Sequence, residues 1–390
     1  MPATSTPTAT ATAPGGDAYT ALVAGYGHTC GLATGGTAYC WGFNGYGQLG
    51  DGTSGNGDLN DQSADRNAPV AVSGGRSFTA LVAGFSHTCG LAPGGTAYCW
   101  GRNSEGQLGD GTSGSGTDRL VPVAVSGGRT FTALVAGAQH TCGLVSGGTA
   151  YCWGWNAGGQ LGDGTTGTDR LAPVDVTGGR TYTALVAGDS HTCGLVSGGT
   201  AYCWGWNASG QLGDGSNSAN RTAPVAVSGG LTFTALVAGG LQTCGLVSGG
   251  TAYCWGSNWA GQLGDGTSGT SSNLNSANRT APVAVSGGRT FTALVAGYTH
   301  TCGLVSGGTA YCWGYNGAGQ LGDGTSGTNR TAPVAVSGGR TFTALVAGWS
   351  HTCGLVSGGT AYCWGDNNSG QLGDGSRTYR TVPVAVIRRA

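Results

Sequence analysis

Histidine, cysteine, aspartate and arginine recur at fixed intervals along this chain of 390 residues. His28, His87, His140, His191, His300 and His351 each precede a Thr-Cys-Gly-Leu string, and Gln242 takes the same place once. Regularly spaced imidazoles could ring a metal ion. The glutamine argues otherwise, because its amide can imitate a histidine hydrogen bond but is a poor metal ligand. The histidines are therefore expected to pin structural elements together, and no metal site is expected. Asp51, Asp110, Asp163, Asp214, Asp265, Asp323 and Asp374 each follow a Gln-Leu-Gly string. Arg66, Arg119, Arg170, Arg221, Arg279, Arg330 and Arg380 stand three residues before a Pro-Val pair. Opposite charges at the two ends of one loop suggest an ion pair that ties the loop down. Calcium would need six or more oxygens, and outside the acidic stretch Asp51–Asp65 no loop holds enough carboxylates.

The 14 cysteines form seven pairs, each ten residues apart and without a CxxC, so a zinc ribbon is not expected. If Thr34-Gly35-Gly36 is a three-residue hairpin loop with Gly36 left-handed, Ala33 faces Thr37 and Cys30 faces Cys40. Counting outward from Ala33–Thr37, that pair falls at a non-hydrogen-bonded site, where Cα atoms lie about 4.5 Å apart, within disulfide range. Seven bridges are expected: Cys30–Cys40, Cys89–Cys99, Cys142–Cys152, Cys193–Cys203, Cys244–Cys254, Cys302–Cys312 and Cys353–Cys363. The alternative is free buried thiols that act as small apolar residues.

Nucleophile elbows, HExxH zinc motifs and phosphate loops are missing from the sequence, and Glu105 is the sole glutamate. A unit copied seven times would copy its catalytic groups, and the copied polar groups here suit turns. An enzyme is not expected, nor a cofactor.

The elements that carry these residues are repeats. HTCGL…GGTAYCWG…GQLGDG occurs seven times with small changes, such as Gln242 for histidine, and successive leading cysteines are 59, 53, 51, 51, 58 and 51 residues apart. The excess lies between GDG and the next Pro-Val, as loop insertions would. The second unit reads as four short strands, Pro69–Val72, Phe78–Gly84, His87–Ala92 and Thr96–Gly101, separated by glycine turns. A unit of this length with four strands is a propeller blade. The fold class expected is all-β: a seven-bladed β-propeller of four-stranded antiparallel blades. The first unit lacks a leading Pro-Val strand and the chain ends with a spare one, Val382–Val386. That strand is expected to complete the first blade and close the ring. Residues 1–17 read as a Pro/Thr/Ala-rich linker, which fits a segment of a longer exported protein or an engineered chain. Residues 18–390 are expected to form one propeller domain, with blades at 18–50 plus 382–387, 68–109, 121–162, 172–213, 223–264, 281–322 and 332–373.

Gly84…His87-Thr88-Cys89…Trp100-Gly101…Gly106-Gln107-Leu108-Gly109 resembles the regulator-of-chromosome-condensation repeat. The resemblance covers about residues 18 to 387. It implies the propeller fold, and among the functions of that family it admits nucleotide exchange on a small GTPase. Such an exchange factor would carry free thiols and a protruding charged wedge, and neither is visible. Gly348-Trp349-Ser350-His351-Thr352 looks like the tryptophan motif of the family's plant photoreceptor. It occurs once, with Ser350 where that motif has arginine, which argues against light sensing.

In an array this uniform the departures carry information. The residue pairs before His-Thr vary most, and so do the residues that flank the Asn after Trp-Gly. Strand direction puts both sets on one face of the disc. Tyr26, Phe43, Tyr46, Phe85, Arg102, Trp155, Asp189, Trp206, Trp259, Tyr298, Tyr315 and Trp349 are the candidate binding residues, since exposed aromatic rings offer large rigid contact area. The alternative is that many of these rings pack into the channel or between blades.

Net charge is −1 and no lysine occurs, so nucleic acid is not an expected partner. Nothing in the sequence is apolar over the length of a membrane span. The expectation is a monomeric, exported scaffold, extracellular or at the cell surface, that binds a protein or a carbohydrate. A structural surface or filament protein is a further alternative. Intact mass with and without reduction tests the bridges: the 14 cysteines should gain about 14 Da, and no gain would mean free thiols.

Overall fold

The computed structural model describes residues 18–58, 61–270 and 272–387; the expected linker over 1–17 lies outside them. Among the described residues, 28 strands, β1 to β28, form seven antiparallel sheets of four consecutive strands each. The first blade is β1 (Tyr19–Ala24), β2 (His28–Ala33), β3 (Ala38–Gly42) and β4 (Arg66–Ala71). The last is β25 (Phe342–Ala347), β26 (His351–Val356), β27 (Ala361–Gly365) and β28 (Arg380–Ala385). All seven cysteine pairs are bridged, with Cα atoms 4.0–4.1 Å apart. Cys30 lies directly across from Cys40 in the ladder of β2 and β3, the register that the three-residue turn dictates.

The expected closure by strand exchange is corrected. β28 pairs with β27 of its own blade, through Tyr362–Ala385 and Cys363–Val384. The first blade receives its outer strand from β4, through Tyr39–Ala71 and Cys40–Val70. Each Pro-Val segment therefore finishes the blade before it, and the blade limits move by one strand. The loop between Trp-Gly and Pro-Val explains why. Asp51 and Arg66 pair at 2.9 Å across that loop, and the other six blades repeat the pair at 2.6–2.8 Å. Asn44 holds the same loop from inside, its amide donating to Asp51, Thr53 O and Thr53 Oγ1. So tied, the chain returns to the sheet it has just left. Proline, which has no N–H to give a ladder, then sits on the outermost strand.

The ring closes side by side. Each apolar core spans two blades: Trp100, Phe78 and Leu81 of the second blade pack with Cys30, Cys40, Leu49 and Val72 of the first. At the seam, Trp41 and Leu22 fill the same places against Cys353, Cys363, Leu372 and Val386. All seven of these tryptophans are fully buried, and truncation of one to alanine should cost about 3–5 kcal/mol. Gly50 shows how close the joint is. Its φ is +69°, and a Cβ there would stand 2.7 Å from the Trp100 indole nitrogen.

Polar ties run through the same joints. The carbonyl of Gln48 in the first blade accepts the indole N–H of Trp100 at 3.0 Å and the hydroxyl of Thr88 at 2.9 Å. Because that hydroxyl proton is committed, the Nε2 of His28, 3.0 Å from Thr88 Oγ1, must be the donor of their hydrogen bond. The His–Thr contact recurs at His87, His140, His191 and His300, and crosses the seam from His351 to Thr29 at 2.9 Å. Where Gln242 replaces histidine, its amide donates instead to Gly297 O at 2.9 Å. The histidines are thus inter-blade ties. Burial pushes their pKa values down, to about 3 for His28, His140 and His300 and about 4 for His87, His191 and His351.

Two outcomes follow. The unfolded chain takes up protons near pH 6.5 that the folded chain refuses until pH 3–4. The stability these histidines contribute is complete above pH 6.5 and falls as the pH drops through that window. Urea titrations monitored by circular dichroism at pH 7.5, 5.5 and 4.5 should show this decline, with a shallower slope in His87→Gln; equal stability at all three would contradict neutral buried imidazoles. Deletion of residues 376–390 should strip hydrogen-exchange protection from β27 and leave that of β3 in place. Loss at β3 instead would restore closure by strand exchange.

Candidate functional site

The second strand of every blade is buried along most of its length, so the residues free to vary lie in the turns at its ends. The turn into that strand reads Ala-Gly-x-x-His, and its Gly and first variable residue come together around the propeller axis. There they line a cavity of about 160 Å³. Beneath it, a channel of about 360 Å³ is walled by seven Val-Ala pairs, from Val23-Ala24 to Val346-Ala347.

A closed circuit of backbone hydrogen bonds frames the mouth. The N–H of Tyr26 donates to Phe85 O, Phe85 to Ala138, Ala138 to Asp189, Asp189 to Gly240, and Gly240 to Tyr298, at 3.2–3.3 Å. Tyr298 then donates to Gly348 O and Trp349 to Gly25 O. In these last two steps the acceptor is the residue before the variable one.

Side chains make the mouth unequal. Tyr298 stacks on Trp349 with ring centroids 3.4 Å apart. Trp349 meets Tyr26 edge-on at 4.7 Å and Phe85 at 5.3 Å, and Tyr26 stacks on Phe85 at 4.1 Å. These four rings cap the sector of the sixth, seventh, first and second blades. The third, fourth and fifth blades contribute only Ala138, Asp189 and Gly240. Burial raises the Asp189 carboxyl to a pKa of about 7. Desolvation, with the nearby Asp189 charge second, raises the Tyr298 phenol.

The other candidates lie outside this ring, on the same face. Hydrogen bonds such as Phe43 N–H to Gly27 O and Trp155 N–H to Gln139 O join the exit of each third strand to the variable turn of its own blade. Tyr46 lies beneath the Arg102 guanidinium at 5.1 Å. Trp259 faces Tyr315 at 5.4 Å. Trp155 is half-buried, and Trp206 is 39% exposed. Phe43 is a correction: it is only 1% exposed, because it fills the space left by Gly27 and Gly45. It is a packing residue that supports Tyr46 from below.

The twelve residues therefore divide into an axial group (Tyr26, Phe85, Asp189, Tyr298, Trp349), a peripheral group (Tyr46, Arg102, Trp155, Trp206, Trp259, Tyr315) and one buried ring. Sequence reasoning passed over Ala138 and Gly240, the two small residues of the axial ring; the Tyr298 ring covers Gly240. The signal was present: both hold the position that carries large rings in four other blades. The opposite face varies less, with an arginine from the Gly-Gly-Arg turn lying over a tyrosine ring at 3.8–4.2 Å in five blades.

Among the described residues, no helix is long and apolar enough to cross a membrane. The chain is 35% identical over 181 residues to the ultraviolet-B receptor UVR8 of Arabidopsis thaliana, covering 45% of this chain and 39% of that protein. It is 34% identical over 213 residues to the human probable E3 ubiquitin-protein ligase HERC4, covering 53% of this chain and 19% of that one. The matched segments thus span well under half the length of these relatives. In three dimensions, yeast RCC1 (Prp20), solved with Kap60 bound, superposes with a TM-score of 0.75 at 20% identity, covering 90% of this chain and 83% of that one. Human WBSCR16 superposes with a TM-score of 0.75 at 19% identity, covering 87% and 88%. Repeats described as "Regulator of chromosome condensation (RCC1) repeat" match residues 19–48, 70–107, 131–160, 182–211, 291–320 and 342–371, and a second description of the same repeat matches from 94 to 388. On this coverage, the chain belongs to the RCC1 repeat family.

Proposed function

We propose that this propeller is a non-enzymatic, exported binding module that holds a protein or carbohydrate ligand on its variable face, with the axial mouth at the centre of the contact. The observation that carries this reading is the concentration of departures from the repeat. Seven near-identical blades place four clustered aromatic rings and one carboxylate at the axis, while the opposite face keeps its Gly-Gly turns and, in five blades, the same Arg–Tyr contact. Packing alone does not demand this, because alanine or glycine occupies the same position in the third and fifth blades without loss of the blade. Rigid aromatic clusters at the centre of a surface are the usual anchors of binding energy. Seven intrablade bridges fit an oxidising compartment and hence export. The copied polar groups are committed to loops and joints, which supports a role without catalysis.

The test is a pair of alanine blocks screened on glycan and protein arrays. One block takes Tyr26, Phe85, Tyr298 and Trp349; the other takes Trp155, Trp206, Trp259 and Tyr315. The axial block should weaken binding at least tenfold, the peripheral block less. Substitution of Arg129 and Arg180 on the opposite face should change nothing. A ligand whose binding survives both blocks, or an array with no ligand for the native chain, would sink the proposal.

A further inference from the structure

The open sector of the axial mouth has chemistry of its own. Asp189 is the one ionisable carboxylate among the seven axial positions; its counterparts are Tyr26, Phe85, Ala138, Gly240, Tyr298 and Trp349. Every other carboxylate whose pKa is displaced from its ordinary value has a hydrogen bond or a cation beside it, as Asp65 has Arg377 and Asp366 has Gln371. For Asp189, burial alone acts. Its backbone is engaged in the axial circuit, so the turn is fixed and the carboxylate is held in place without a partner. Asp189 is half-buried and lines the axial cavity, so its carboxylate is open to a donor from outside the chain.

The surroundings say what kind of donor. Tyr298 leans over Gly240: a Cβ at Gly240 would stand 2.3 Å from the Tyr298 ring. The phenol is thereby carried across the fifth blade to the neighbourhood of Asp189, whose charge it feels. Its ring face is backed by Trp349. The axial mouth thus offers one carboxylate without a hydrogen-bond partner among the described residues, an aromatic wall that covers Gly240, and the small side chain of Ala138 on the other side. Negative charge beside π-faces attracts an organic cation, and a carboxylate without a partner asks for N–H donors. Among the described residues no arginine pairs with Asp189, and the nearest histidine in sequence, His191, is turned into the inter-blade tie with Thr243.

We propose that the open sector around Asp189 receives a primary ammonium group, as presented by a lysine side chain or a chain N-terminus of the ligand. This rests on the binding-face reading given above and names the chemistry at its centre. Asp189 would accept the ammonium hydrogen bonds, Tyr298 would flank the alkyl stem, and the seven-membered backbone circuit would fix both.

The probe is n-pentylammonium, with n-pentanol as its uncharged counterpart, titrated into the full chain at pH 8 and followed by saturation-transfer NMR. Pentylammonium should bind and pentanol should bind at least tenfold more weakly. Asp189→Asn should weaken pentylammonium at least tenfold and leave pentanol unchanged, whereas Asp189→Glu should keep most of the binding. Near-ultraviolet circular dichroism of each variant checks that the fold is retained. Equal binding of the two probes, no binding of pentylammonium up to about 50 mM (the weak end of the ligand-efficiency range for six heavy atoms), or full binding by a folded Asp189→Asn variant each overturns the assignment. If the axial alanine block abolishes an array ligand while Asp189→Asn does not, the binding face stands and the ammonium site falls.

Discussion

No blade of this propeller can bury its own core, and the rest of the structure depends on that constraint. The apolar face of each sheet is completed by the tryptophan and inner strand of the next. One backbone carbonyl, that of the glutamine in Gln-Leu-Gly, gathers a joint: in the first blade it takes the indole N–H and the threonine hydroxyl of the neighbour together. Such groups are fully desolvated, so each tie is formed only when two blades are pressed together, and lost to little advantage when they part. Closure makes the first and last blades neighbours on the same terms as any other pair. The seam needs no special strand because it is chemically an ordinary joint.

The functional reading depends on this uniformity. Where packing dictates the same residue seven times, variation marks the positions that packing does not dictate. At the axis those positions are held rigid by a backbone circuit that ignores side-chain identity. The propeller can therefore change its axial side chains without altering the frame that presents them. In two of the seven steps the acceptor is the glycine before the variable residue, Gly348 or Gly25, and the circuit still runs from blade to blade.

Much of this was legible in the sequence. Repeat period, strand count and the ten-residue cysteine spacing specify a hairpin register, and register is a local property of turns. The Asp–Arg pairs were legible for the same reason, being two ends of one loop. Strand phase was not. A Pro-Val strand that stands between two units reads equally well as the last of one or the first of the next, and only the loop geometry that Asp51, Arg66 and Asn44 enforce decides it. The partners of the histidines were also out of reach, because Thr88 lies 60 residues from His28. The glutamine at 242 hinted at a hydrogen-bonding role without saying to what. Phe43 was misplaced because its position looks exposed by strand direction; two glycines, Gly27 and Gly45, leave a hollow that only a large ring fills.

The locality of the disulfides has a consequence for how the protein is made. Fourteen cysteines admit a very large number of pairings, and most would trap a chain in a wrong form. Here every partner is ten residues away on the same hairpin. A hairpin forms on a microsecond scale, far faster than thiols oxidise, so the correct thiol is the nearest one before any neighbouring blade exists. Oxidation can then follow the chain as it emerges, one hairpin at a time. The covalent step needs no knowledge of the ring, and the ring is left to assemble from units whose cysteines are already spent.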